Sequence, residues 1–286
     1  MKIAVLGNAG SWYTNDLVRA AAERHEIIPI GYAQLASTVG SNTTVHTQEL
    51  ELNNFDAVLV RSMPPGSLEQ IIFRMDALAN LATAGVKVMN PPRAIEVAVD
   101  KYLATTRLVA AGLPVPRTIT CQTVEQALVA FQELGGDVVL KPLFGSEGRG
   151  IVRLSDEGIA LRAFKALEQI GSVFYLQEFV EHEGCDLRLL VIGDEVLGMK
   201  RRNPSDWRTN ISRGAVGEPL VVSSELAELA QRAAVAVGAP LAGVDLLPAR
   251  DGRLLAIEVN AVPGWRALAG VTGVDVAAKV LQFLAI

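Results

Sequence analysis

The 286-residue chain has few of the residue types that would commit it to a specialised class of protein. It contains only two cysteines, Cys121 and Cys185, which excludes a disulfide framework or a cysteine-rich metal site. Its three histidines, His25, His46 and His182, lie far apart and show no metal-ligand spacing. Because so few cysteines are typical of proteins from a reducing compartment, we expect a cytoplasmic location.

Long apolar runs and a basic excess are missing as well. The N-terminal apolar run, 3–6, is too short for the core of a signal peptide. No run approaches the ~18 residues of a membrane helix, so we expect no membrane partner. The 26 basic and 31 acidic residues give a net charge of −5, which argues against a nucleic-acid partner. Otherwise the composition, 50% hydrophobic and 20% charged, is typical of a globular protein of one to three domains.

Short apolar strands alternate with helical segments in the first third of the chain. The pattern predicts helices at 14–25, with Thr14 as N-cap, and at 67–84, between strands at 2–6, 27–30, 56–60 and 87–89. This alternation predicts an open parallel α/β layer. The turn Gly7-Asn-Ala-Gly10 lacks the G-x-G-x-x-G spacing and no acid is placed to bind a ribose, which disfavours a dinucleotide-binding fold.

After Pro91-Pro92 the pattern changes. It predicts helices at 93–111, 123–134, 156–169, 224–237 and 274–285, and strands at 137–141, 151–154, 173–180, 185–193 and 195–202. We therefore expect an α/β (α+β) protein of three consecutive lobes, 1–92, 93–180 and 181–286.

The most informative stretch is 243–264, which predicts a β-hairpin of apolar runs 241–247 and 253–259 around Asp251-Gly252. Glu258 and Asn260 share one strand face, and Asp245 lies on the partner strand. Two carboxylates and an amide on one hairpin form the oxygen-rich pocket that Mg²⁺ prefers. The alternative, ion-pairing residues on a solvated face, is less favoured because unpaired carboxylates among apolar residues are costly.

A glycine-rich loop, Lys141-Pro-Leu-Phe-Gly-Ser-Glu-Gly-Arg-Gly150, separates two predicted strands. Its glycines let backbone amides approach a phosphate, Ser146 and Arg149 add donors, and Lys141 is placed to meet phosphate oxygens. It is not a Walker loop, since G-K-[ST] is absent. The alternative is a flexible hairpin whose lysine reaches solvent.

Two further segments suit a nucleotide. Gln177-Glu-Phe-Val-Glu181 ends a strand, and its backbone can pair with an adenine edge, although the segment taken alone favours a plain strand end. The 200–213 segment carries Lys200, Arg201, Arg202, Arg208 and Arg213 against one acid, Asp206. Arginines bind phosphate and carboxylate groups bidentately. The alternatives are a solvated charge run or a nucleic-acid patch.

Taken in order, these segments resemble the RimK-like glutamate ligases of the ATP-grasp superfamily over nearly the whole chain. The ordered set comprises Asp100-Lys101, Val139–Gly150, Gln177-Glu-Phe-Val180, Cys185-Asp-Leu-Arg188, Arg201-Arg202, Trp207–Gly214, Gly243-Val-Asp245 and Glu258-Val-Asn-Ala-Val-Pro-Gly264. The resemblance implies a three-lobed ATP-grasp fold that clasps ATP.

The resemblance also implies site residues. ATP is expected to contact Lys101, Lys141, Ser146, Gly148, Glu178, Phe179, Val180, Asp186, Arg208, Thr209 and Asn210. Mg²⁺ or Mn²⁺ is expected at Asp245, Glu258 and Asn260. Arg201, Arg202 and Arg213 are candidates for stabilising an oxyanion.

Members of this family join the amino group of an amino acid, commonly L-glutamate, to a carboxylate and release ADP and phosphate. Arg61, Ser62 and Trp12 follow predicted strands of the first lobe, where open α/β sheets bind ligands, and are expected to bind the acceptor. Pro263-Gly264-Trp265-Arg266 resembles the branch that glutamylates tetrahydromethanopterin-type cofactors. A homodimer or homotetramer is expected. Ligation of another substrate class (a protein tail, a dipeptide or D-alanine) and a regulator without catalysis stay open as alternatives.

Overall fold

A computed structural model describes residues 1–145 and 148–286. The first lobe contains a parallel sheet with the strand order β2-β1-β5-β6. Its strands and helices are β1 (Lys2–Leu6), α1 (Trp12–Ala21), β2 (Glu26–Ile30), β5 (Ala57–Val60), α2 (Leu68–Thr83) and β6 (Lys87–Met89). The predicted parallel α/β layer is therefore confirmed. The pattern did not predict a separate antiparallel hairpin of β3 (Ala36–Val39) and β4 (Thr43–His46), which follows β2 and precedes β5 in the sequence.

The first helix begins earlier than predicted. Ser11, not Thr14, is the N-cap, and its side chain accepts a hydrogen bond from the backbone N–H of Thr14. Thr14 itself is buried, and its hydroxyl donates to the carbonyl of Asn8. Both residues are good capping types, so only the loop path after β1 decides between them.

The helix predicted at 93–111 is broken in two, α3 (Pro92–Val99) and α4 (Lys101–Ala110). Asp100 between them is extended, with φ −88° and ψ 103°, and its side chain accepts from the Leu103 N–H as the N-cap of α4. The break places Lys101 in the first turn of a new helix.

The middle of the chain forms an antiparallel sheet with the order β7-β10-β8-β9. Its elements are β7 (Thr118–Cys121), α5 (Val124–Glu133), β8 (Val138–Lys141), β9 (Val152–Leu154), α6 (Glu157–Glu168) and β10 (Phe174–Glu178). One compact core, which includes Phe131, Phe164 and Phe174, joins the two helices to this sheet.

The last sheet is antiparallel in the order β13-β12-β11-β14-β15. Its elements are β11 (Cys185–Ile192), β12 (Glu195–Arg202), β13 (Val216–Pro219), α7 (Ser224–Val237), β14 (Leu241–Pro248), β15 (Leu254–Asn260), α8 (Arg266–Thr272) and α9 (Val276–Leu284). The predicted hairpin is confirmed as β14 and β15. The pattern did not predict β13 or α8.

Two apolar cores cross the boundary between the first and the last lobe. One packs Leu78 and Leu81 of α2 with Ala230 of α7 and Val244 of β14. The other packs Ile3 of β1 with residues of β11, α8 and α9. The helices α3 and α4 contribute to the first of these cores, whereas the buried residues in the core of the middle sheet all lie between Val124 and Leu176.

Among the described residues, no single helix is long and apolar enough to cross a membrane. The helices α8 and α9 pass a length and composition test only as a pair, and they meet at a bend of 113°.

Candidate active site

The β14–β15 hairpin places two carboxylates opposite each other. Asp245 pairs with Glu258 and Gly243 pairs with Asn260, and the register shifts at a bulge between Asp245 and Leu246. Asp245 is 3% exposed. Glu258 is half-buried, and its side chain has no hydrogen-bond or ion-pair partner within residues 1–145 and 148–286. A carboxylate in that condition is available to a cation.

Asp245 is held by two arginines. Its Oδ1 accepts from Nη1 of Arg188 at 2.7 Å, and its Oδ2 lies 2.9 Å from Nη2 of Arg201. Arg201 also donates from Nε to Oδ1 of Asp186 at 2.7 Å, and the Thr209 hydroxyl donates to the same carboxylate. Burial alone raises the pKa of Asp245, but the two guanidinium groups hold it below its ordinary value.

A glycine makes this ion network possible. A Cβ at Gly243 would lie 2.6–3.0 Å from three guanidinium atoms of Arg188, so a side chain there would displace the arginine from Asp245. Buried ion pairs depend on such geometry, because a displaced partner leaves an uncompensated charge.

Two lysines approach the hairpin from the middle of the chain. Lys101 donates from Nζ to the carbonyl of Gly145 at 2.9 Å, and Lys141, at the end of β8, donates to Oε1 of Gln177 at 2.6 Å. Burial lowers the pKa of Lys141 to about 8; Glu258 opposes the shift and Lys101 adds to it. Burial lowers the pKa of Lys101 as well, again opposed by Glu258. Both predicted lysines therefore lie within electrostatic range of Glu258, and Lys101 lines one small cavity with it.

The described part of the glycine loop packs against the arginine-rich loop. Gly148 has φ +68°, and a Cβ there would lie 2.5 Å from Oδ1 of Asn210. Arg213 donates from Nη2 to the Gly148 carbonyl at 3.4 Å. Gly148, Asn210 and Arg213 are thus neighbours, while Ser146 lies outside the described residues.

The predicted adenine segment crosses from the middle lobe to the last lobe. The Glu178 N–H donates to the Arg117 carbonyl at 2.9 Å, and the Glu178 Oε1 accepts from the Arg117 N–H at 3.0 Å. The guanidinium of Arg153 stacks 3.4 Å from the Phe179 ring centroid. Val180 is buried in a small cluster with Leu247 and Leu255 of the hairpin. The segment is therefore a packed crossing and not a plain strand end.

Two further arginines of the 200–213 segment, Arg202 and Arg208, pair with acids away from the hairpin. Arg202 follows Arg201 on β12 and so points to the other face of the sheet, where it pairs with Glu218 at 3.1 Å. Arg208 pairs with Asp206 at 2.7 Å at a partly exposed position. The structure does not bring Arg202 to Asp245.

The first lobe contributes a buried arginine. Arg61 follows β5, is 6% exposed and donates from Nη2 to the Pro263 carbonyl at 2.7 Å. Its Cζ lies 4.9 Å from the Tyr13 ring centroid and 4.0 Å from that of Trp265. Its Nε and Nη1 have no hydrogen-bond partner in the described chain, and burial lowers its pKa to about 10.

Trp12 and Ser62 lie beside this arginine. Trp12 packs edge-on against Tyr13, with 5.2 Å between ring centroids, and the Cζ of Arg266 lies 5.5 Å from the Trp12 ring centroid. Ser62 is exposed and adjoins Gly7, where a Cβ would lie 2.8 Å from the Ser62 hydroxyl. The three predicted acceptor residues therefore gather at the carboxyl ends of β1 and β5.

The residues present fit a magnesium ion. Within 1–145 and 148–286, no group of three or more His, Cys, Asp or Glu side chains is arranged to hold a metal. The hairpin instead offers one partnerless carboxylate, Glu258, the amide of Asn260 on the same strand face, and Asp245, each of whose oxygens already accepts from an arginine. These are hard oxygen donors of the type that Mg²⁺ binds.

Two family models account for almost the whole chain. The RimK PreATP-grasp domain matches residues 1–95, and the RimK-like ATP-grasp domain matches residues 98–284. The chain belongs to the RimK-like ATP-grasp family. It is accordingly an ATP-dependent ligase, and the predicted fold class is confirmed.

The similarity to characterised families of ligases extends over nearly the full length of both chains. The chain is 33% identical to a tetrahydromethanopterin:alpha-L-glutamate ligase of Methanosarcina acetivorans, over 96% of this chain and 95% of that protein. It is 32% identical to the ligase of that name in Methanococcus maripaludis, with coverage of 99% and 97%. It is 30% identical to a ribosomal protein bS6--L-glutamate ligase of Escherichia coli, with coverage of 99% and 95%.

Solved structures share the fold. The ATP-grasp ligase PsnB complexed with a minimal precursor superposes with a TM-score of 0.79 at 23% identity, covering 99% of this chain and 98% of that one. A RimK domain protein ATP-grasp from Sphaerobacter thermophilus gives a TM-score of 0.76 at 24% identity and covers both chains completely.

The sequence patterns of this RimK-like protein missed three buried side chains that hold predicted site residues. Gln177 holds Lys141, Arg188 holds Asp245, and Asn203 donates to the carbonyls of Arg208 and Arg213 and so shapes the arginine-rich loop. All three are polar and buried. Polar residues inside an otherwise apolar strand, as in 174–178 and 185–192, were the available indication for the first two.

Proposed function

We propose that this protein is an ATP-dependent carboxylate–amine ligase that adds L-glutamate to a carboxylate acceptor and releases ADP and phosphate. One observation carries the proposal: Lys101 and Glu258 line one small cavity where the middle lobe meets the hairpin, and the charge of Glu258 acts on both Lys101 and Lys141. The similarity to glutamate ligases over nearly the whole chain supports the amino acid.

The chemistry follows from the poor leaving group of a carboxylate. Transfer of the γ-phosphoryl group to the acceptor carboxylate makes an acyl phosphate, which the glutamate amine attacks, and phosphate leaves. Lys101 and Lys141 hold the phosphate oxygens. No enzyme nucleophile is needed in this route.

We propose Mg²⁺ as the metal, with Mn²⁺ as a substitute, held by Glu258 and Asn260 with Asp245 as the third ligand. A bound divalent ion neutralises charge on the transferring phosphoryl group. Asp245 can accept a further interaction because each carboxylate oxygen has two lone pairs and one arginine contact.

The remaining nucleotide residues are proposed from the family resemblance and their neighbourhood. The glycine loop, with Ser146 and Gly148, and the arginine-rich loop, with Arg208, Thr209 and Asn210, cover the phosphates. Glu178, Phe179 and Val180 bind adenine, and Glu178 or Asp186 lies near the ribose. The packing of Gly148 on Asn210 supports a joint action of the two loops.

For the oxyanion of the second step we propose Arg213, with Arg201 as a fixed positive charge held by the hairpin. Arg213 already reaches the glycine loop, whereas Arg201 is committed to Asp186 and Asp245. Arg202 is the weakest of the three catalytic candidates because it pairs with Glu218 on the opposite face.

We propose that the first lobe binds the acceptor through Arg61, Ser62 and Trp12, and that the acceptor is a pterin-like cofactor. Two relatives of 33% and 32% identity named for tetrahydromethanopterin support this class. A protein tail is the second candidate, favoured by the 30% identity to the bS6 ligase.

Other properties extend the proposal. We propose a cytoplasmic enzyme, in line with the free thiols of Cys121 and Cys185, that forms a homodimer or homotetramer. We retain the lobes 1–92, 93–180 and 181–286, although α3 and α4 pack with the first and last lobes.

A screen of amino acids against carboxylate acceptors tests the proposal by ADP release and product mass. The expected result is ADP and phosphate formation that depends on both L-glutamate and an acceptor, with a mass gain of one or more glutamyl units. Formation of AMP and pyrophosphate would exclude the acyl-phosphate route. Turnover with a peptide but not with a pterin would select the second candidate.

A further inference from the structure

We infer that Asn90, in the first lobe, is a positioning residue for the metal hairpin of the last lobe. The inference rests on the proposed metal-dependent function and concerns a residue that touches neither metal ligand. Asn90 directly follows β6 and is 1% exposed. It lies 151 residues before the start of β14 in the sequence.

The hairpin ladder stops where the metal ligands are. The last registered pair is Gly243 with Asn260, so the backbone of Leu241 and Ala261 beyond it lacks the mutual hydrogen bonds of a continuing antiparallel pair. The Asn260 side chain also bonds the turn that follows it, since its Oδ1 accepts from the Val262 N–H at 2.8 Å. The strand β14 stays paired with β11 as far as Leu241, but the chain beyond β15 has left the ladder, so the position of Asn260 is poorly defined unless another group holds it.

The Asn90 amide ties that end. Its Nδ2 donates to the carbonyl of Leu241 at 2.6 Å and to the carbonyl of Ala261, and its Oδ1 accepts from the Leu241 N–H at 3.0 Å. One side chain therefore uses both amide hydrogens and its oxygen to clamp the two strands together. Ala261 is the residue next to Asn260, and Leu241 is two residues before Gly243.

Neighbouring side chains of the first lobe hold the residues that follow. Arg61 donates to the Pro263 carbonyl at 2.7 Å, and Asp16 accepts from Nε1 of Trp265 at 3.0 Å. Of these three residues of the first lobe, Asn90 is the one that bonds both to β14, at Leu241, and to Ala261, which directly follows β15. The acceptor lobe thereby sets the position of Glu258 and Asn260 as well as holding its own substrate.

Two substitutions separate positioning from general stability. Asn90→Ala removes all three hydrogen bonds, and the isosteric Asn90→Asp keeps the acceptor for the Leu241 N–H but loses the amide donors. Arg19→Ala is the matched control, since Arg19 also bridges the first and last lobes, to Asp275 at 2.8 Å, on the surface and away from the hairpin. None of these residues contacts the proposed nucleotide or metal directly.

Two affinities are measured for each variant. Electron paramagnetic resonance gives the affinity of the ADP complex for Mn²⁺, and a titration in excess chelator gives the affinity of the metal-free protein for ADP. We expect a loss of Mn²⁺ affinity of about tenfold or more for Asn90→Ala, at least as large a loss for Asn90→Asp, whose carboxylate oxygen would face the carbonyls of Leu241 and Ala261, and a change under about twofold for Arg19→Ala. Metal-free ADP affinity is expected to stay within about twofold of wild type for each variant. Equal Mn²⁺ affinities, or parallel loss of both affinities, would overturn the inference.

Hydrogen exchange on the unaltered protein gives a second test that does not depend on variant folding. Coupling between two sites is reciprocal, so metal binding must tighten the clamp if the clamp favours metal binding. We expect slower exchange of the Leu241 amide with ADP and Mn²⁺ than with ADP and chelator; an unchanged rate contradicts the inference. Failure of the wild-type protein to bind Mn²⁺ at all would instead contradict the proposed metal site.

Discussion

Glu258 is the residue on which the proposed chemistry depends most directly. Its carboxylate is half-buried, faces Asp245 across the ladder and influences both lysines. The amide of a glutamine keeps the shape of this side chain but loses its charge and one acceptor oxygen.

We therefore expect Glu258→Gln to abolish ADP formation while the protein keeps the thermal melting profile of the wild type. The reason is loss of the ligand charge, because Mg²⁺ binds ionised carboxylates far better than amides. Coupled-enzyme detection of ADP and a thermal melt measure the two quantities. Glu228→Gln, at a side chain 71% exposed on α7, is the control and should leave both unchanged. Turnover of Glu258→Gln near the wild-type rate would refute the metal assignment.

Lys141 carries a pH dependence that can be measured separately. Burial lowers its pKa to about 8, below the ordinary value of 10.5, so the free enzyme loses this charge as the pH rises through about 8. The same shift affects the free energy of unfolding. Between about pH 8 and 10.5 the unfolded chain binds more protons at this lysine than the folded chain does, so the free energy of unfolding rises with pH over that window.

For ligand binding, ATP phosphates require the protonated lysine. The ATP dissociation constant is expected to rise by up to about tenfold per pH unit above 8 in the wild type. Lys141→Arg keeps the charge at all accessible pH values and should flatten the profile. Fluorescence titration with a nucleotide analogue between pH 7 and 9.5 measures both; identical slopes for the two proteins would show that another group titrates.

At the scale of elements, two loops on different lobes meet: the glycine loop and the arginine-rich loop that we propose to cover the phosphates. Gly148 of the glycine loop has a positive φ and packs against Asn210, and Arg213 holds its carbonyl. A glycine is required here twice, once by the backbone conformation and once by the space that Asn210 occupies.

We expect Gly148→Ala to raise the KM for ATP by about tenfold with little change in melting temperature, because the new methyl group separates the two loops. Steady-state kinetics with varied ATP measures the effect. Gly171→Ala is a matched control, since Gly171 has φ +66° with no heavy atom within 4 Å of the added Cβ, and it tests backbone strain without crowding. A similar KM for both variants would place the effect in strain and not in loop contact.

At the scale of the whole molecule, the apolar cores connect some lobes and not others. The first and last lobes are joined by two apolar cores, while the middle lobe has its own. A substitution in a shared core should therefore loosen both lobes, and one in the middle core should loosen only the middle lobe.

The comparison of Leu281→Ala with Phe164→Ala tests this. Leu281 is 2% exposed in a shared core, and Phe164 is fully buried in the middle one. Each is expected to cost about 2–5 kcal/mol of local stability. Native-state hydrogen exchange should show lost protection in β1 and β11 for the first variant and in β8 and β10 for the second. Uniform loss across the chain in both cases would mean that the three lobes unfold as one unit.

The sequence alone determined the parts whose physics is local. Alternating apolar strands and helices predicted the first sheet, Asp251-Gly252 predicted the hairpin, and the spacing of Glu258 and Asn260 put them on one face. These features depend on neighbours within a few residues, so periodicity and turn chemistry suffice. The ordered motifs were specific enough to resemble the family that the domain matches then showed.

Only the tertiary structure decided which side chains hold the site. Asn90 reaches Leu241 and Ala261 across more than 150 residues, and Arg188 meets Asp245 across two strands of a sheet. It also separated Arg201 from Arg202, which adjoin in sequence but face opposite sides of β12. A hydrogen bond between distant segments leaves no periodic trace in either one. Its partners are defined only when packing has brought two buried polar groups within reach and removed the water that would otherwise satisfy them.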